Sequence, residues 1–445
     1  MHTVIIGNGI AGVTCARHLR KGSDESITII SGESDYFYSR TALMYIYMGH
    51  MKYEHTKPYE DWFWKKNKID LRKAWVERVD YQKKCLFFED GESMLYDRLV
   101  IATGSKPNKF GWDGEDLEGV QGLYSLQDLT LLEKNTHSPR ASNKKVQHAV
   151  IVGGGLIGVE LAEMLMTRDI KISFLIREKH FWGNVLPPDD GGFVARHIRK
   201  HGVELLFETE LSAIIPDENG RVCAIETSKG SRITCEFVGL TAGVSPNIDF
   251  LRSNALDVDR GVLIDNFFQT NQLDVYAIGD CAQFSDPPKG VRAINQVWYT
   301  GRIMGETLAQ NMLGKKVAYR PGPWFNSAKF FDLEYQTYGE VSSTPTEHVE
   351  SFFWVDKNDE RAIKVQFDIN TNKFLGINAY GVRFRHEYFD QKLRKGELVS
   401  DVIAGFRKAD FDPEFQSDFH KGFIAYWNST YPDFKVPGNR KYILF

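Results

Sequence analysis

Two glycine-rich turns carry the clearest chemistry in this sequence. Gly7, Gly9 and Gly12 follow the apolar run Val4-Ile5-Ile6, and Gly153, Gly155 and Gly158 follow Val150-Ile151-Val152, both at G-x-G-x-x-G spacing. In such a turn the first glycine permits a tight reversal, the second admits a pyrophosphate close to backbone N–H groups, and the third lets a helix pack close to its strand. Ala11, Leu156 and Ile157 lie within the turns and belong to the same candidate sites. A carboxylate after the next strand would accept hydrogen bonds from a ribose, and Glu33 stands there, after Ile27-Thr28-Ile29-Ile30. Two dinucleotide sites in one chain imply transfer between two dinucleotides, for which a flavin and a nicotinamide are the economical pair. The glycines alone do not say which turn holds which.

The elements that must position these turns repeat one plan. An apolar strand, the turn and a helix (through about Leu19 in the first copy, about Thr167 in the second) lead to another apolar strand, Ile172–Ile176 in the second copy. These are the openings of two mononucleotide-binding βαβ units. A polar stretch from Ser138 to Lys145, with Pro139, reads as a loop crossing between them. Short β segments follow from about Gly220, including Arg221–Ile225 and Ile233–Val238, and a Pro/Gly break at Tyr319 to Pro323 precedes an aromatic-rich tail. The chain of 445 residues has room for several domains. Its net charge of -4 gives no pull toward nucleic acid or an anionic membrane. No apolar run approaches the roughly 20 residues of a membrane span, and Thr3–Ile6 enters a strand at once, so no signal peptide and a cytoplasmic location are expected. The five cysteines, Cys15, Cys85, Cys223, Cys235 and Cys281, form no C-x-x-C pair and no metal-ligand spacing with histidine, so no metal is expected.

Two further segments extend the pattern, and with them the chain resembles the two-dinucleotide-binding flavoproteins of the pyridine nucleotide-disulfide oxidoreductase superfamily. Leu99-Val100-Ile101-Ala102-Thr103-Gly104-Ser105 is similar to the strand and turn that return the chain between the two domains, and Asp274-Val275-Tyr276-Ala277-Ile278-Gly279-Asp280 to the second FAD motif. The resemblance covers about residues 1–320 and implies an α/β fold: two Rossmann-like domains plus a C-terminal α+β domain. By it, residues 1–117 and 245–322 form an FAD-binding domain, 118–244 an NAD(P)H-binding domain, and 323–445 a C-terminal interface or acceptor domain. Gly7, Gly9, Ala11, Gly12, Glu33, Arg40, Val79, Ala102, Thr103, Gly104, Asp280 and Gln296 would then hold FAD, with Asp280 on the ribityl chain and Arg40 on the pyrophosphate. Gly153, Gly155, Leu156, Ile157, Gly158, Glu160, Arg177, Glu178 and Gly243 would hold the nicotinamide nucleotide. Glu160 resembles the glutamate that orients the nicotinamide, and the lysine that partners it in ferredoxin-reductase relatives would fall near Tyr45. A helix beginning near Ala293–Gln296 would point its positive end at the flavin. The family's acidic residue for the 2′-hydroxyl aligns with Ile176; Arg177 follows and favours NADPH, while the adjacent Glu178 would restore NADH.

The same resemblance bears on where electrons go. The C-x-x-x-x-C pair of disulfide reductases and the single cysteine near Ser39–Leu43 of coenzyme A-disulfide reductases and NADH peroxidases are missing. Cys15 and Cys281 read as packing residues, so electrons should leave the flavin directly for an outside acceptor. The segment Pro323-Trp324-Phe325-Asn326 resembles the opening of the C-terminal domain in putidaredoxin- and ferredoxin-reductase-like enzymes. An iron–sulfur carrier of ferredoxin or rubredoxin type is accordingly the expected partner, and a homodimer is compatible with this reading. Arg383, Arg385, Lys392, Arg394 and Lys395 could dock such a carrier, although Glu387, Asp390 and Glu397 are interleaved; His386 reads as a surface or packing residue. Two alternatives stand beside this one. The first is an NAD(P)H oxidase or the diaphorase part of a nitrite-reductase-like system. The second is a redox-dependent binding protein resembling apoptosis-inducing factor.

Overall fold

Apolar, β-branched runs that alternate with helical segments dictate parallel sheets, because the helices must cover both sheet faces. The computed structural model describes residues 1–136, 146–252, 255–415 and 418–436; the crossing loop expected at Ser138 to Lys145 lies outside them. The chain divides into two compact units, one of Met1–Gly111, Val120–Lys145 and Leu240–Pro321, the other of Trp112–Gly119, Val146–Gly239 and Gly322–Phe445.

The first unit is built on a five-stranded sheet in the order Val275–Ala277, Arg98–Ile101, His2–Ile6, Ser26–Ser31, Ile69–Lys73. Every pairing in it is parallel. Val4, Ile5, Leu99, Val100 and Ala277 are fully buried, as strands covered on both faces require. The helix after the first turn runs Ile10–Gly22, longer than the sequence suggested, and packs against helix Trp298–Met312. That second helix starts at Trp298 rather than near Ala293: residues 293–297 are non-helical, and Val297 sits extended at the N-cap. A Cβ on Gly305 would lie 2.5 Å from the Ala11 carbonyl, so the two backbones meet where only a glycine fits.

The second unit repeats the plan with Glu204–Phe207, Lys171–Ile176, His148–Val152 and Phe237–Leu240, flanked by helices Leu156–Met166 and Pro188–Lys200. It also contains the tail. Five antiparallel strands, in the order Phe325–Phe330, Leu333–Gly339, Phe374–Tyr380, Ala362–Asp368, Val349–Val355, turn one face to a core with Phe389, Phe406, Phe423 and Trp427. This is the destination of the aromatic residues concentrated in the last quarter. Helix Pro188–Lys200 meets the tail sheet through a buried charge: Asp190 accepts hydrogen bonds from Asn378 and Tyr380, both at 2.9 Å, and Lys364 reaches Asp189 at 2.9 Å. Among the described residues no helix is long and apolar enough to cross a membrane.

Candidate functional site

Gly7 takes φ +116, and a Cβ there would fall 2.1 Å from the Ala102 carbonyl oxygen; a Cβ on Gly12 would fall 2.2 Å from the Gly7 carbonyl. Both glycines are demanded by the protein itself. Gly9 differs, because it has an ordinary φ of -74 and a Cβ there would meet none of the described residues within 4 Å. The space over Gly9, at the N-terminus of helix Ile10–Gly22, is therefore left open by the described residues, as a pyrophosphate on helix N–H groups would need. Gly155 repeats this: φ is -95, and among the described residues only Trp182 Nε1, at 3.9 Å, comes within 4 Å of the Cβ position.

Around the first turn the structure brings Glu33 and Arg40 together. Arg40 spans both carboxylate oxygens of Glu33 at 2.9 and 2.7 Å, and the Tyr38 hydroxyl and the Leu126 N–H donate to the same carboxylate. Burial opposes ionisation of Glu33, but the Arg40 hydrogen bonds and charge outweigh it and hold the carboxyl below its usual range. The guanidinium also stacks 4.4 Å over the Tyr124 ring. Arg40 is thus held by Glu33 and by the Tyr124 carbonyl, to which it donates at 2.5 Å.

Asp280 lies beside Ser105, whose hydroxyl donates to it at 3.1 Å; Gln296 donates to the same Ser105 oxygen at 2.9 Å. Burial pushes the Asp280 carboxyl up to about 6, against the lowering effect of the Ser105 bond. Thr103 donates to the Asn247 carbonyl at 2.7 Å, and the Tyr124 hydroxyl, beside Gly104, accepts the Ser105 N–H at 3.0 Å. Thus Thr103 is tied to Asn247, while Gly104, Asp280 and Gln296 gather around Ser105 and Tyr124. Sequence reasoning missed these two: Ser105 was legible as the residue after Gly104, whereas nothing in the spacing singles out Tyr124. Val79 is buried in strand Val76–Asp80, and Gly243, whose carbonyl accepts the Asn108 N–H at 3.1 Å, belongs to the first unit.

In the second unit Glu160 sits one turn into helix Leu156–Met166. Burial pushes its carboxyl up to about 7, and the negative charge of Glu163 adds to the rise. Lys329, from the tail, stands 3.6 Å from Glu163. Tyr45, where a partner lysine was considered, stacks on His50 in the first unit with ring centres 6.2 Å apart. Ile176 is fully buried, and its side chain would meet a Cβ on Gly154 at 3.3 Å, so it supports the turn and offers nothing to a ribose. Arg177 is 72% exposed and donates to Glu178 at 3.3 Å. The two residues that pull the nucleotide preference in opposite directions are bonded to each other.

Three of the five basic residues of the tail expected to dock a carrier are paired with carboxylates. Arg383 pairs with Glu334 and Asp412, Lys392 with Glu397 at 2.5 Å, and Arg394 with Asp390 at 2.8 Å. The docking patch expected from them is thereby reduced to Arg385 and Lys395. The ring of His386 packs 4.2 Å from Phe325. All five cysteines are unpaired, and burial pushes Cys15 up to about 12 and raises Cys281 as well.

Residues 1–306 match the family model for pyridine nucleotide-disulphide oxidoreductases. The chain is 28% identical over 284 residues to the nitrite reductase [NAD(P)H] of Bacillus subtilis, covering 63% of this chain and 34% of that protein, so it spans about a third of that relative. It is also 28% identical over 285 residues to the rubredoxin-NAD(+) reductase of Pseudomonas putida, covering 63% of this chain and 72% of that one. The ferredoxin reductase of the CYP199A2 system from Rhodopseudomonas palustris superposes with a TM-score of 0.77 at 19% identity, over 95% of this chain and 99% of that one. With two Rossmann-like sheets, two open glycine turns and this family match, the chain belongs to the pyridine nucleotide-disulphide oxidoreductase family as an FAD-dependent NAD(P)H oxidoreductase.

Proposed function

We propose that this chain draws electrons from NADPH, or less readily NADH, and delivers them to an iron–sulfur protein of ferredoxin or rubredoxin type. The observation that carries this is the pair of turns whose middle glycines, Gly9 and Gly155, face open space among the described residues, with the half-buried Glu160 one turn beyond the second. Bound FAD and NAD(P)H supply the hydride chemistry themselves, and the protein supplies placement and electrostatics. Gly7, Gly9 and Gly12 with Arg40 would grip the FAD pyrophosphate. Asp280, held by Ser105, would take the ribityl chain, and Gln296 would steady that serine. Gly153, Gly155 and Gly158 would seat the nucleotide, and Glu160 would orient the nicotinamide amide. Ile176 offers no carboxylate and Arg177 is exposed, which supports a 2′-phosphate. Five unpaired cysteines accord with a reducing, cytoplasmic setting and with electrons leaving the flavin directly. An acceptor such as oxygen, as in an NAD(P)H oxidase, is the second reading; it is favoured by the commitment of Arg383, Lys392 and Arg394 to carboxylates.

Anaerobic titration with NADPH and then NADH, following the flavin's visible band, tests the proposal. Bleaching by either nucleotide, tighter for NADPH, is expected. Failure of both to bleach the flavin would leave the redox-dependent binding-protein reading in its place. Reoxidation of the bleached protein by a ferredoxin or rubredoxin, compared with oxygen alone, then separates the two acceptor readings.

A further inference from the structure

His197 and His201 are one turn apart at the C-terminal end of helix Pro188–Lys200, so their side chains leave the same face and reach toward a common point. Asp332 occupies that point, at the tip of the hairpin formed by Phe325–Phe330 and Leu333–Gly339. One carboxylate oxygen, Oδ1, lies 2.7 Å from His197 Nε2 and 2.8 Å from His201 Nε2. The His201 ring lies flat on Phe331, centres 4.7 Å apart at 11°, which fixes its plane; Phe331 itself is held at φ +59. We propose that His197, His201 and Asp332 bind a zinc ion that clips the end of this helix to the tail hairpin. The three residues lie outside both glycine turns, and the H-x-x-x-H of residues 197 and 201 was not legible as a metal site because it holds no cysteine and its third ligand comes from far along the chain.

The donor set favours zinc over the hard divalent cations. Two imidazole nitrogens with one carboxylate oxygen suit zinc, whereas calcium and magnesium take oxygen ligands. Zinc bound tetrahedrally at about 2.0–2.2 Å sets ligand atoms roughly 3.4 Å apart. Here the three ligand atoms lie within 4.8 Å of one another, with the histidine–carboxylate contacts shorter than that spacing, so modest side-chain shifts seat the ion. Arg196 and Lys200 on the same helix turn instead to Asp359, at 2.9 and 3.1 Å, and do not compete for Asp332. Asp332 is 73% exposed, which leaves an entry path and a fourth position for water. The carbonyl end of a helix also favours a cation. Because the ligands are more than 130 residues apart in the chain, binding at this point restrains a long loop and should stabilise the second unit.

The test uses the flavin-loaded full chain, treated with a chelator, desalted and titrated with zinc sulfate by calorimetry and against a chromophoric chelator. One zinc ion per chain with low-micromolar or tighter affinity, and a raised thermal midpoint, are expected; magnesium and calcium should do neither. His197→Gln and Asp332→Asn should each weaken binding by about tenfold or more, with the flavin spectrum unchanged as evidence that the fold persists. Asp359→Asn, which removes only the neighbouring ion pairs, should leave uptake intact. The site is refuted if no stoichiometric zinc is taken up, or if uptake survives undiminished in the His197→Gln, His201→Gln double variant. Stoichiometric uptake that leaves the thermal midpoint unmoved overturns the clip.

Discussion

Gly9 and Glu160 are the residues at which protein and cofactor demands separate. Adding a methyl at Gly7 or Gly12 collides with backbone and should disrupt the first unit itself, but at Gly9 it meets open space and an ordinary φ. Gly9→Ala should therefore fold with a thermal midpoint, measured flavin-free, equal to that of the parent, while losing at least about tenfold in FAD affinity. Equal FAD retention by the variant would show that the space over Gly9 is not the pyrophosphate seat. Glu160 makes a pH prediction. Burial raises its carboxyl to about 7, so between the ordinary 4.5 and about 7 the folded chain binds more protons than the unfolded one, and stability falls as pH rises through that window. Glu160→Gln should flatten that slope in thermal melts taken across it. At the proposed nicotinamide site, ionised Glu160 would favour the positive charge that develops on the ring as hydride departs. Stopped-flow flavin reduction should accordingly speed up with pH through about 7 in the parent, and be slower and flat in Glu160→Gln. These two residues were legible from spacing and from resemblance. Tyr124 was not, because it reaches Arg40 and Ser105 only through tertiary folding.

Among the elements, helices Ile10–Gly22 and Trp298–Met312 set how accurately the first turn is aimed. Gly305 brings them into backbone contact: a Cβ there would stand 2.5 Å from the Ala11 carbonyl and 3.0 Å from the Cys15 nitrogen. Gly305→Ala must push the helices apart, at a cost of roughly 1–3 kcal/mol as overpacking usually does. Because Ala11 lies in the turn itself, the variant should release FAD at lower urea than the parent, and the flavin fluorescence that appears on release measures it. An unchanged midpoint would mean that the helix pair adapts without moving the turn. Strand identities were readable here because β-branched apolar runs between glycines leave little choice. The start of the second helix was not. The resemblance placed it near Ala293–Gln296, but Asn295 bonds back to the Arg292 carbonyl at 2.7 Å and Gln296 is drawn to Ser105, so the helix waits for Trp298.

For the molecule as a whole, the open question of mechanism is how many electrons the chain stores, and the cysteines decide it. Their lack of a paired spacing was visible in the sequence; their burial was not, since it depends on which face of each element meets a core. Cys15 and Cys281 are fully buried with raised thiol pKa, Cys85 and Cys235 are buried, and Cys223 alone is partly accessible. A buried thiol kept in its neutral form is a poor nucleophile and a poor redox relay. N-ethylmaleimide at neutral pH should therefore modify Cys223 and spare the other four until the protein is unfolded, as peptide mass analysis would read. The modified protein should keep the parent's rate of flavin reduction. In the anaerobic titration the flavin should bleach fully with one nucleotide per flavin, both before and after modification. A demand for two equivalents that falls to one after labelling would reveal a thiol pair working with the flavin, and would return this chain to the disulfide-reducing side of its family.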